Sequence, residues 1–264
     1  MGAQQNNGLG HTFDAVPQAY DRFRPAYVDE LYRDLLALHP LDGTCRALEI
    51  GAGTGQATEP ILRTGCAVTA LEPGANLAAF LAAKFAEDSG LSVKICRFED
   101  FSAPSGSYDL IYSATAFHWV DPDTGYSRAF DLLKPGGLFA RFANHPFPAA
   151  DDPALFEAIQ TLYGAYYGRE RAPERGSEEE MAKNLARLPE GYGFVRTGWK
   201  LYHRTRTLSP EEYVGLLGTY SDHLALEPAR REAFFSGIRA AIEAHGDRIA
   251  IRDTIDLEFA VKPE

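Results

Sequence analysis

The sequence predicts an α/β fold in which a mostly parallel sheet carries helices on both faces. From about residue 44 to 142, short apolar segments typical of strands alternate with segments that have the apolar spacing of helices. This alternation is typical of βαβ units, whose strands run parallel. A cluster of glycines in "RALEIGAGTGQAT" (46–58) follows the first strand and precedes the first helix. We therefore expect a ligand site at the carboxyl end of that strand.

The first half of the chain contains five predicted strands with helices between them. The strand segments are "CRALEI" (45–50), "CAVTALEP" (66–73), "LSVKICRF" (91–98), part of "SYDLIYSATAF" (107–117) and "LFARFA" (138–143). The helical segments are "QATEPILRTG" (56–65), "ANLAAFLAAKFAED" (75–88) and "DTGYSRAFDLLKPGG" (123–137). The glycines at residues 65 and 136–137 are typical helix exits.

The second half is less regular, and it predicts two helical insertions in the sheet core. Two helices are expected at 153–167 and 177–188, joined by the charged, exposed loop "GRERAPERGSEEE" (168–180). "WKLYHRTRTL" (199–208) and "IAIRDTIDLEFAVK" (249–262) alternate as strands do. Between them, a helix capped by Ser209 precedes an amphipathic helix over 227–246. The polar first ten residues, "MGAQQNNGLG", are expected to be disordered.

Bulk composition excludes several classes of protein. The net charge of −11 disfavours non-specific nucleic-acid binding, which depends on basic contacts to phosphates. Cys45, Cys66 and Cys96 form no C-x-x-C pair, so we expect reduced thiols and a cytoplasmic location. No apolar run is long enough to span a bilayer, and no signal peptide is evident. The acids show no clustered metal-ligand spacing, so no metal is expected.

The residues around the glycine turn indicate the kind of ligand. Gly51, Gly53 and Gly55 allow close backbone approach, but the sixth position of a dinucleotide fingerprint is Gln56 rather than glycine. Glu49 would repel a pyrophosphate and suits a ligand that carries an ammonium and a sulfonium. Glu72 ends the second strand, where an acid accepts ribose hydroxyls. A ribose, a positive end and no phosphate together describe S-adenosylmethionine.

Five ordered segments make a family resemblance specific. "LEIGAGTGQAT", "LEP", "FEDF", "YDLIYSATAFHWVDP" and "LKPGGLFA" resemble the core of class I S-adenosylmethionine-dependent methyltransferases, most closely the small-molecule branch that includes trans-aconitate methyltransferase. The resemblance covers residues 13–141 and continues weakly through "YSDHLALEPARREAFFSGI" (220–238). It implies a Rossmann-like, seven-stranded, mostly parallel sheet with helices on both faces, a helical cap and an antiparallel last strand, "DTIDLEFAVK" (253–262).

The resemblance also implies a set of cofactor-binding residues. They are Tyr20, Arg24, Glu49, Gly51, Ala52, Gly53, Gly55, Glu72, Phe98, Glu99, Ala114 and Ala116. Arg24 is expected to pair with the methionine carboxylate, and Glu99 to lie near the adenine amino group with neighbouring backbone N–H groups at the ring. Relatives carry a Gly-Asp pair where this chain has Cys96 and Arg97, so Asp100 is an alternative to Glu99.

His118, in "ATAFHWVDP", follows strand four, where the methyl end of the cofactor is expected. It either acts as a general base on a substrate hydroxyl or has a structural role with Trp119 packed behind it. We favour the structural role, because methyl transfer from a sulfonium is an in-line displacement that positioning accelerates.

No motif in the sequence indicates which methyl acceptor the protein selects. Aromatic residues between Tyr163 and Tyr220 either line an acceptor pocket or form the core of a cap. His145 and His203, with Arg204 and Arg206, are candidates to meet an anionic acceptor, although the solvent face of a strand explains the arginines equally well.

We expect one methyltransferase domain over 1–264, with cap segments 1–27 and 145–193 over the site and a helical insertion at 207–247. The predicted reaction is methyl transfer to a small organic molecule at a hydroxyl or carboxylate oxygen, with S-adenosylhomocysteine as product. The alternatives are transfer to carbon or nitrogen of a small metabolite, or cofactor binding without methyl transfer.

Overall fold

Seven strands form one sheet in the computed structural model, which describes residues 12–148, 151–168 and 177–264. The strands are β1 (Arg46–Ile50), β2 (Ala67–Leu71), β3 (Leu91–Lys94), β4 (Tyr108–Ala114), β5 (Leu133–Pro148), β6 (Val195–Leu208) and β7 (Ile249–Val261). The predictions for residues 1–10 and for most of the loop 168–180 lie outside the described residues.

The strand order is β3-β2-β1-β4-β5-β7-β6. β1 pairs in parallel with β2 and with β4, and the pairs β2–β3 and β4–β5 are also parallel. β7 is antiparallel to both β5 and β6. The predicted fold class, a mostly parallel Rossmann-like sheet with an antiparallel last strand, is confirmed.

The described residues contain ten α-helices, two before β1 and eight between strands. They are α1 (Pro17–Phe23), α2 (Asp29–Leu38), α3 (Thr58–Leu62), α4 (Ala75–Lys84), α5 (Pro122–Leu132), α6 (Pro153–Tyr167), α7 (Glu178–Arg187), α8 (Pro210–Leu217), α9 (Ser221–Leu224) and α10 (Pro228–Ala244). Ser209 caps α8 in a reciprocal capping box with Glu212, as its position before Pro210 predicts. α6 and α7 lie between β5 and β6, and α8 to α10 lie between β6 and β7, so both insertions are present.

Two predicted elements end elsewhere in the structure. β3 ends at Lys94, because the Cys96 N–H turns back to donate to the Lys94 carbonyl at 3.1 Å. The helix that was expected to reach Gly137 ends at Leu132, and β5 begins at Leu133. β5 continues to Pro148 because its antiparallel pairing with β7 runs from Leu138 to that residue.

The central strands β1 and β4 are buried on both faces, as is typical of parallel strands covered by helices. Alternate residues of β1 divide between two apolar clusters, with Ala47 on one face and Leu48 on the other. A third cluster joins α6, α8 and α10 through Ile159, Tyr213 and Phe234. This separate apolar unit supports the short helix α9 at the carboxyl edge of the sheet.

Candidate functional site

The glycine turn after β1 folds over the end of β2. The backbone N–H groups of Gly51 and Ala52 both donate to the Leu71 carbonyl, at 2.9 and 3.0 Å. Gly51 has a φ of +72°, and a Cβ there would lie 2.4 Å from the Cβ of Ala116. The turn therefore needs glycine at position 51 both for its conformation and for the close approach of the chain after β4.

Gly53 and Gly55 have different surroundings. Gly53, with a φ of +58°, faces the Tyr20 ring, whose nearest carbon would lie 3.4 Å from an added Cβ. Gly55 lines neither of the two cavities described below, and its Cβ would lie 2.6 Å from the Phe85 ring and 2.7 Å from Leu81. Glycine at position 55 is therefore required by packing against α4, although the sequence grouped it with the cofactor-binding residues.

Glu72 connects the end of β2 to the glycine turn. Its Oε2 accepts a hydrogen bond from the Gly53 N–H, and its Oε1 accepts one from the Gly74 N–H, each at 2.8 Å. The side chain is buried, and burial raises the pKa of Glu72 although the two N–H groups act in the opposite direction. The carboxylate is thus held in one orientation at the edge of the large cavity.

A cavity of about 380 Å³ opens at the carboxyl edge of the parallel strands, within the size range typical of small-molecule sites. Ten of the residues singled out from the sequence line it: Tyr20, Arg24, Gly51, Gly53, Glu72, Phe98, Glu99, Ala114, Ala116 and His118. Glu49 and Ala52 line a neighbouring cavity of about 40 Å³. Tyr20, Arg24, Gly51 and Ala114 are among the residues that border both cavities.

Glu49 is fully buried beneath the glycine turn. Its Oε2 accepts hydrogen bonds from the hydroxyls of Thr58 at 2.6 Å and Tyr112 at 2.9 Å, while Oε1 has no partner among the described residues. Burial raises the pKa of Glu49 to about 7. The unpartnered oxygen makes Glu49 suited to a cationic group in the smaller cavity, because a positive charge favours the ionised carboxylate.

Arg24 lies between the two cavities. Its guanidinium carbon is 4.3 Å from the Tyr220 ring centroid and 5.1 Å from that of Tyr20, and Nη2 donates to the Thr219 carbonyl at 2.8 Å. Its Nε is buried and has no acceptor among the described residues. The group is therefore fixed in position and keeps a donor for an anion.

Glu99 and Asp100 follow β3 in a short 3₁₀ helix, Phe98–Asp100. Glu99 lines the large cavity, and its Oε1 accepts from Nη2 of Arg97 at 3.0 Å. Asp100 is exposed and borders neither cavity, so its placement favours Glu99 as the ligand-facing acid. The Phe98 side chain is buried in the core beneath this end of the cavity.

His118 lies in the 3₁₀ turn Phe117–Trp119 after β4, with its ring centroid 4.9 Å from that of Trp119. His118 as a whole is exposed, but its ring packs against the Trp119 ring. This burial of the ring, followed by the positive charges of Arg141 and His145, lowers the pKa of His118 to about 4. The imidazole is therefore neutral at pH 7.

Several cavity residues are absent from the sequence-based set. They include Phe13, Thr115, Asn144, Ser221 and Asp222. In the sequence, Asn144 directly follows the predicted strand 138–143, so the rule that singled out Glu72 at a strand end also indicates this residue. No pattern in the sequence marks Ser221 and Asp222 as site residues, because packing of distant helices places them. His223, whose Nδ1 bonds Asp222 at 2.8 Å and whose Nε2 bonds the Tyr163 hydroxyl at 3.0 Å, fixes this wall.

The cap segment 145–193 contributes little to the cavity walls where it is described. Only Pro146 of its described residues borders either cavity. α6 packs in the third apolar cluster, and α7 packs against β6 and β7. Among the aromatic residues considered from the sequence, Tyr220 lines the cavity, whereas Tyr163 and Tyr213 belong to the third cluster.

Three of the four basic residues of β5 and β6 that were considered from the sequence pair with acids on β7. Arg204 and Arg206 bind the carboxylate of Asp253, which is fully buried. His145 Nε2 lies 2.9 Å from Oδ2 of Asp256. The solvent-face interpretation of the two arginines is therefore wrong, because the acid that pairs with them lies on β7, which is distant in the chain. His203 is exposed on β6, and contact of these residues with an anionic acceptor stays a prediction.

Within the three described ranges, no helix has the length and apolarity needed to cross a membrane. In the same part of the chain, no three His, Cys, Asp or Glu side chains come together as metal ligands would.

Comparison with known proteins identifies the family. A methyltransferase domain family matches residues 48–139. A protein of Dictyostelium discoideum named as a methyltransferase is 31% identical over 258 residues, which cover 94% of this chain and 92% of that protein. The ubiquinone biosynthesis O-methyltransferase of Methylocella silvestris is 30% identical over 217 residues, which cover 74% of this chain and 81% of the relative.

Among solved structures, a protein of Anaeromyxobacter dehalogenans described as a type II methyltransferase has a TM-score of 0.64 and 22% identity. The match covers 92% of this chain and all of that one, and it shows the shared fold. The chain therefore belongs to the class I S-adenosylmethionine-dependent methyltransferases, with S-adenosylmethionine as its methyl donor.

Proposed function

We propose that this methyltransferase transfers the methyl group to an oxygen of a small organic molecule, either a hydroxyl or a carboxylate. The observation that carries the proposal is the continuity of the large cavity. It runs from Glu72 and Glu99, beyond the glycine turn, to His118, Asn144 and Tyr220. This leaves a region for a small acceptor beside the part of the cavity that suits the cofactor. The similarity to an O-methyltransferase supports oxygen as the atom methylated.

In the proposed complex the cofactor extends along the strand ends. Glu72 accepts hydrogen bonds from the ribose hydroxyls, and Glu99 accepts one from the adenine amino group. The unpartnered Nε of Arg24 supports a charge-assisted contact with the methionine carboxylate. The unpartnered Oε1 of Glu49 in the smaller cavity supports a contact with the ammonium group. The sulfonium then lies near Ala114 and Ala116, which border the large cavity.

Two acceptor chemistries remain within this proposal. A carboxylate is suggested by the resemblance to the branch that includes trans-aconitate methyltransferase, and it needs no base because it is ionised at neutral pH. A hydroxyl acceptor must lose its proton during transfer, either to water or to a neutral group such as His118. In both cases the oxygen attacks the methyl carbon in line as the carbon–sulfur bond breaks and S-adenosylhomocysteine leaves, so holding the two reactants in the correct geometry supplies much of the acceleration.

We also propose that segments 1–27 and 145–193 close over the bound cofactor and acceptor. The first is supported by Phe13, Tyr20 and Arg24, which line the large cavity. Among the described residues of the second segment, only Pro146 borders a cavity. Residues 220–222 form another part of the wall of the large cavity. Amide hydrogen exchange should slow in both segments when S-adenosylhomocysteine is added, because closure protects backbone groups. Unchanged exchange in both would contradict closure.

Methyl transfer to a panel of alcohols, phenols, carboxylic acids and amines tests the proposed function. Each is incubated with the enzyme and S-adenosyl-[methyl-³H]methionine, and the labelled product is identified by mass spectrometry. We expect labelled ethers or esters. Labelled amines or carbon-methylated products as the main outcome would contradict oxygen as the acceptor atom.

A further inference from the structure

Asp253 on β7 is a buried carboxylate clamped by two guanidinium groups. Arg204 donates to its Oδ2 from Nε at 3.1 Å and Nη2 at 2.9 Å. Arg206 donates from Nε to Oδ2 at 2.6 Å and from Nη2 to Oδ1 at 2.9 Å. Burial alone would raise the pKa of Asp253, but the bonds and charges of Arg206 and Arg204 outweigh it and lower that pKa. Asp253 is therefore ionised and can only accept hydrogen bonds.

This ion cluster determines the orientation of the Asn144 amide. Nδ2 of Asn144 lies 3.3 Å from Oδ1 of Asp253. The two ends of an amide have nearly the same shape, but only the NH₂ end can donate to a carboxylate. The carbonyl end, Oδ1, must therefore lie on the other side, where it is buried and has no partner among the described residues.

The backbone around Asn144 is also fixed. Its N–H donates to Oγ1 of Thr115 at 3.3 Å, and the Thr115 N–H donates to the Phe142 carbonyl at 2.8 Å. The Thr115 hydroxyl in turn bonds the Tyr27 hydroxyl at 2.6 Å. These contacts join the loop after β4 to β5, so Oδ1 of Asn144 cannot readily turn to a different partner.

Asn144 borders both cavities, beside Thr115 and Tyr220. A buried carbonyl without a donor is costly, and a ligand that supplies an O–H or N–H removes that cost. An ionised carboxylate supplies neither, and its negative charge would face the lone pairs of Oδ1. The fixed carbonyl therefore distinguishes acceptors that carry a proton from those that do not.

We infer that Oδ1 of Asn144 binds a hydroxyl of the methyl acceptor and so selects a hydroxyl compound over a carboxylate. This inference rests on the proposed function. Asn144 is a specificity-determining residue in this account, because it orients the hydroxyl at or beside the atom that is methylated.

The test compares the parent with Asn144→Leu, which keeps the approximate size of the side chain and removes its polar atoms. Glu232→Leu, at an exposed position of α10 that lies outside both proposed cap segments and borders neither cavity, is the control. The probes are the pairs phenol and benzoate, catechol and phthalate, and hexanol and hexanoate, with S-adenosyl-[methyl-³H]methionine as donor. Asn144→Ala serves as a second variant if the leucine disturbs packing, and thermal unfolding reports that disturbance.

We expect the parent to methylate hydroxyl members in preference to carboxylates. Asn144→Leu should lower kcat/KM for the hydroxyl members by about tenfold or more, the usual effect of losing the partner of a buried polar group. Most of the change should appear in KM, and S-adenosylhomocysteine affinity should remain within about twofold of the parent, as removal of acceptor binding alone implies. The control should behave like the parent.

Three results would overturn the inference: preferred methylation of carboxylates, an unchanged hydroxyl preference in both Asn144 variants, or an equal loss of S-adenosylhomocysteine affinity. The last would assign Asn144 to the cofactor. Failure of the parent to methylate any probe while binding S-adenosylhomocysteine would count against the proposed function itself, and the inference would fall with it.

Discussion

Oε2 of Glu72 accepts a hydrogen bond from the backbone N–H of Gly53 at 2.8 Å, which fastens the end of β2 to the glycine turn after β1. The acid that is proposed to bind the ribose thus also shapes the turn that borders the methionine end of the cofactor. Because one carboxylate has both tasks, a change at Glu72 should affect the affinity for the whole cofactor.

Glu72→Ala should weaken S-adenosylhomocysteine binding by about 1.5 to 3 kcal/mol, the range for hydrogen bonds to a charged group. Isothermal titration calorimetry measures this change directly. Glu87→Ala, at an exposed position just after α4, is the control and should bind like the parent. Parent-like affinity in Glu72→Ala would show that the ribose binds elsewhere.

Gly53→Ala and Gly55→Ala should differ in how much cofactor affinity and how much stability each variant loses. Both positions have positive φ, at +58° and +93°, so each alanine strains the backbone and should lower stability. Only the Gly55 methyl would also collide with Phe85 and Leu81, so Gly55→Ala should show the larger loss in thermal unfolding. Gly53→Ala should show the larger loss in cofactor affinity, since its methyl points toward Tyr20 at the cavity. The reverse pattern would contradict the roles assigned to the two glycines.

Arg24→Met should weaken S-adenosylhomocysteine binding by about tenfold or more, as expected when a charge-assisted contact is lost. Arg24→Lys should recover only part of the affinity, because an ammonium does not reproduce the planar group between Tyr20 and Tyr220. Arg22→Met removes an exposed arginine that pairs with Glu211 at 3.6 Å, and it should be close to neutral. Equal effects at residues 22 and 24 would indicate loss of the helix instead of a ligand contact.

His118→Asn should keep most of the activity if His118 has a structural role, whereas His118→Ala should lose more through altered packing. A base in this position would be worth about 10² to 10⁴ in rate, and both variants would lose it. The sign of the pH effect follows from the lowered pKa of about 4: an imidazole base works when neutral and fails as pH falls through that value. We therefore expect no rise in kcat/KM from His118 between pH 6 and 8. A nearly inactive Asn variant with normal cofactor affinity would contradict the structural role.

The first half of the fold was predictable because its signals are local. The strand that ends in Ile50, the glycine turn and the acid at the end of β2 are close in the chain, and their pattern locates one edge of the sheet. The ends of elements were less predictable: β5 extends to Pro148 because it pairs with β7, more than 100 residues away.

The part of the site that is proposed to bind the acceptor was not predictable, because it depends on contacts between residues that are far apart in the chain. Arg204 and Arg206 appear as alternating strand residues in the sequence, and only the β6–β7 pairing brings them to Asp253. Asp253 then orients Asn144, and the third apolar cluster supports the wall at Tyr220. Each of these placements depends on contacts between residues that are far apart in the chain, which composition and spacing do not report.

The central claim is that the methyl group goes to an oxygen of a small molecule. The most direct test uses S-adenosylmethionine with a ¹³C-labelled methyl group and a small-molecule extract of cells as the source of acceptors. The ¹³C NMR spectrum of the products distinguishes methyl groups bound to oxygen, nitrogen and carbon by their chemical shifts. We predict a new O-methyl signal that is absent without enzyme and weakened by Glu72→Ala. An N-methyl or C-methyl signal in its place would contradict the account.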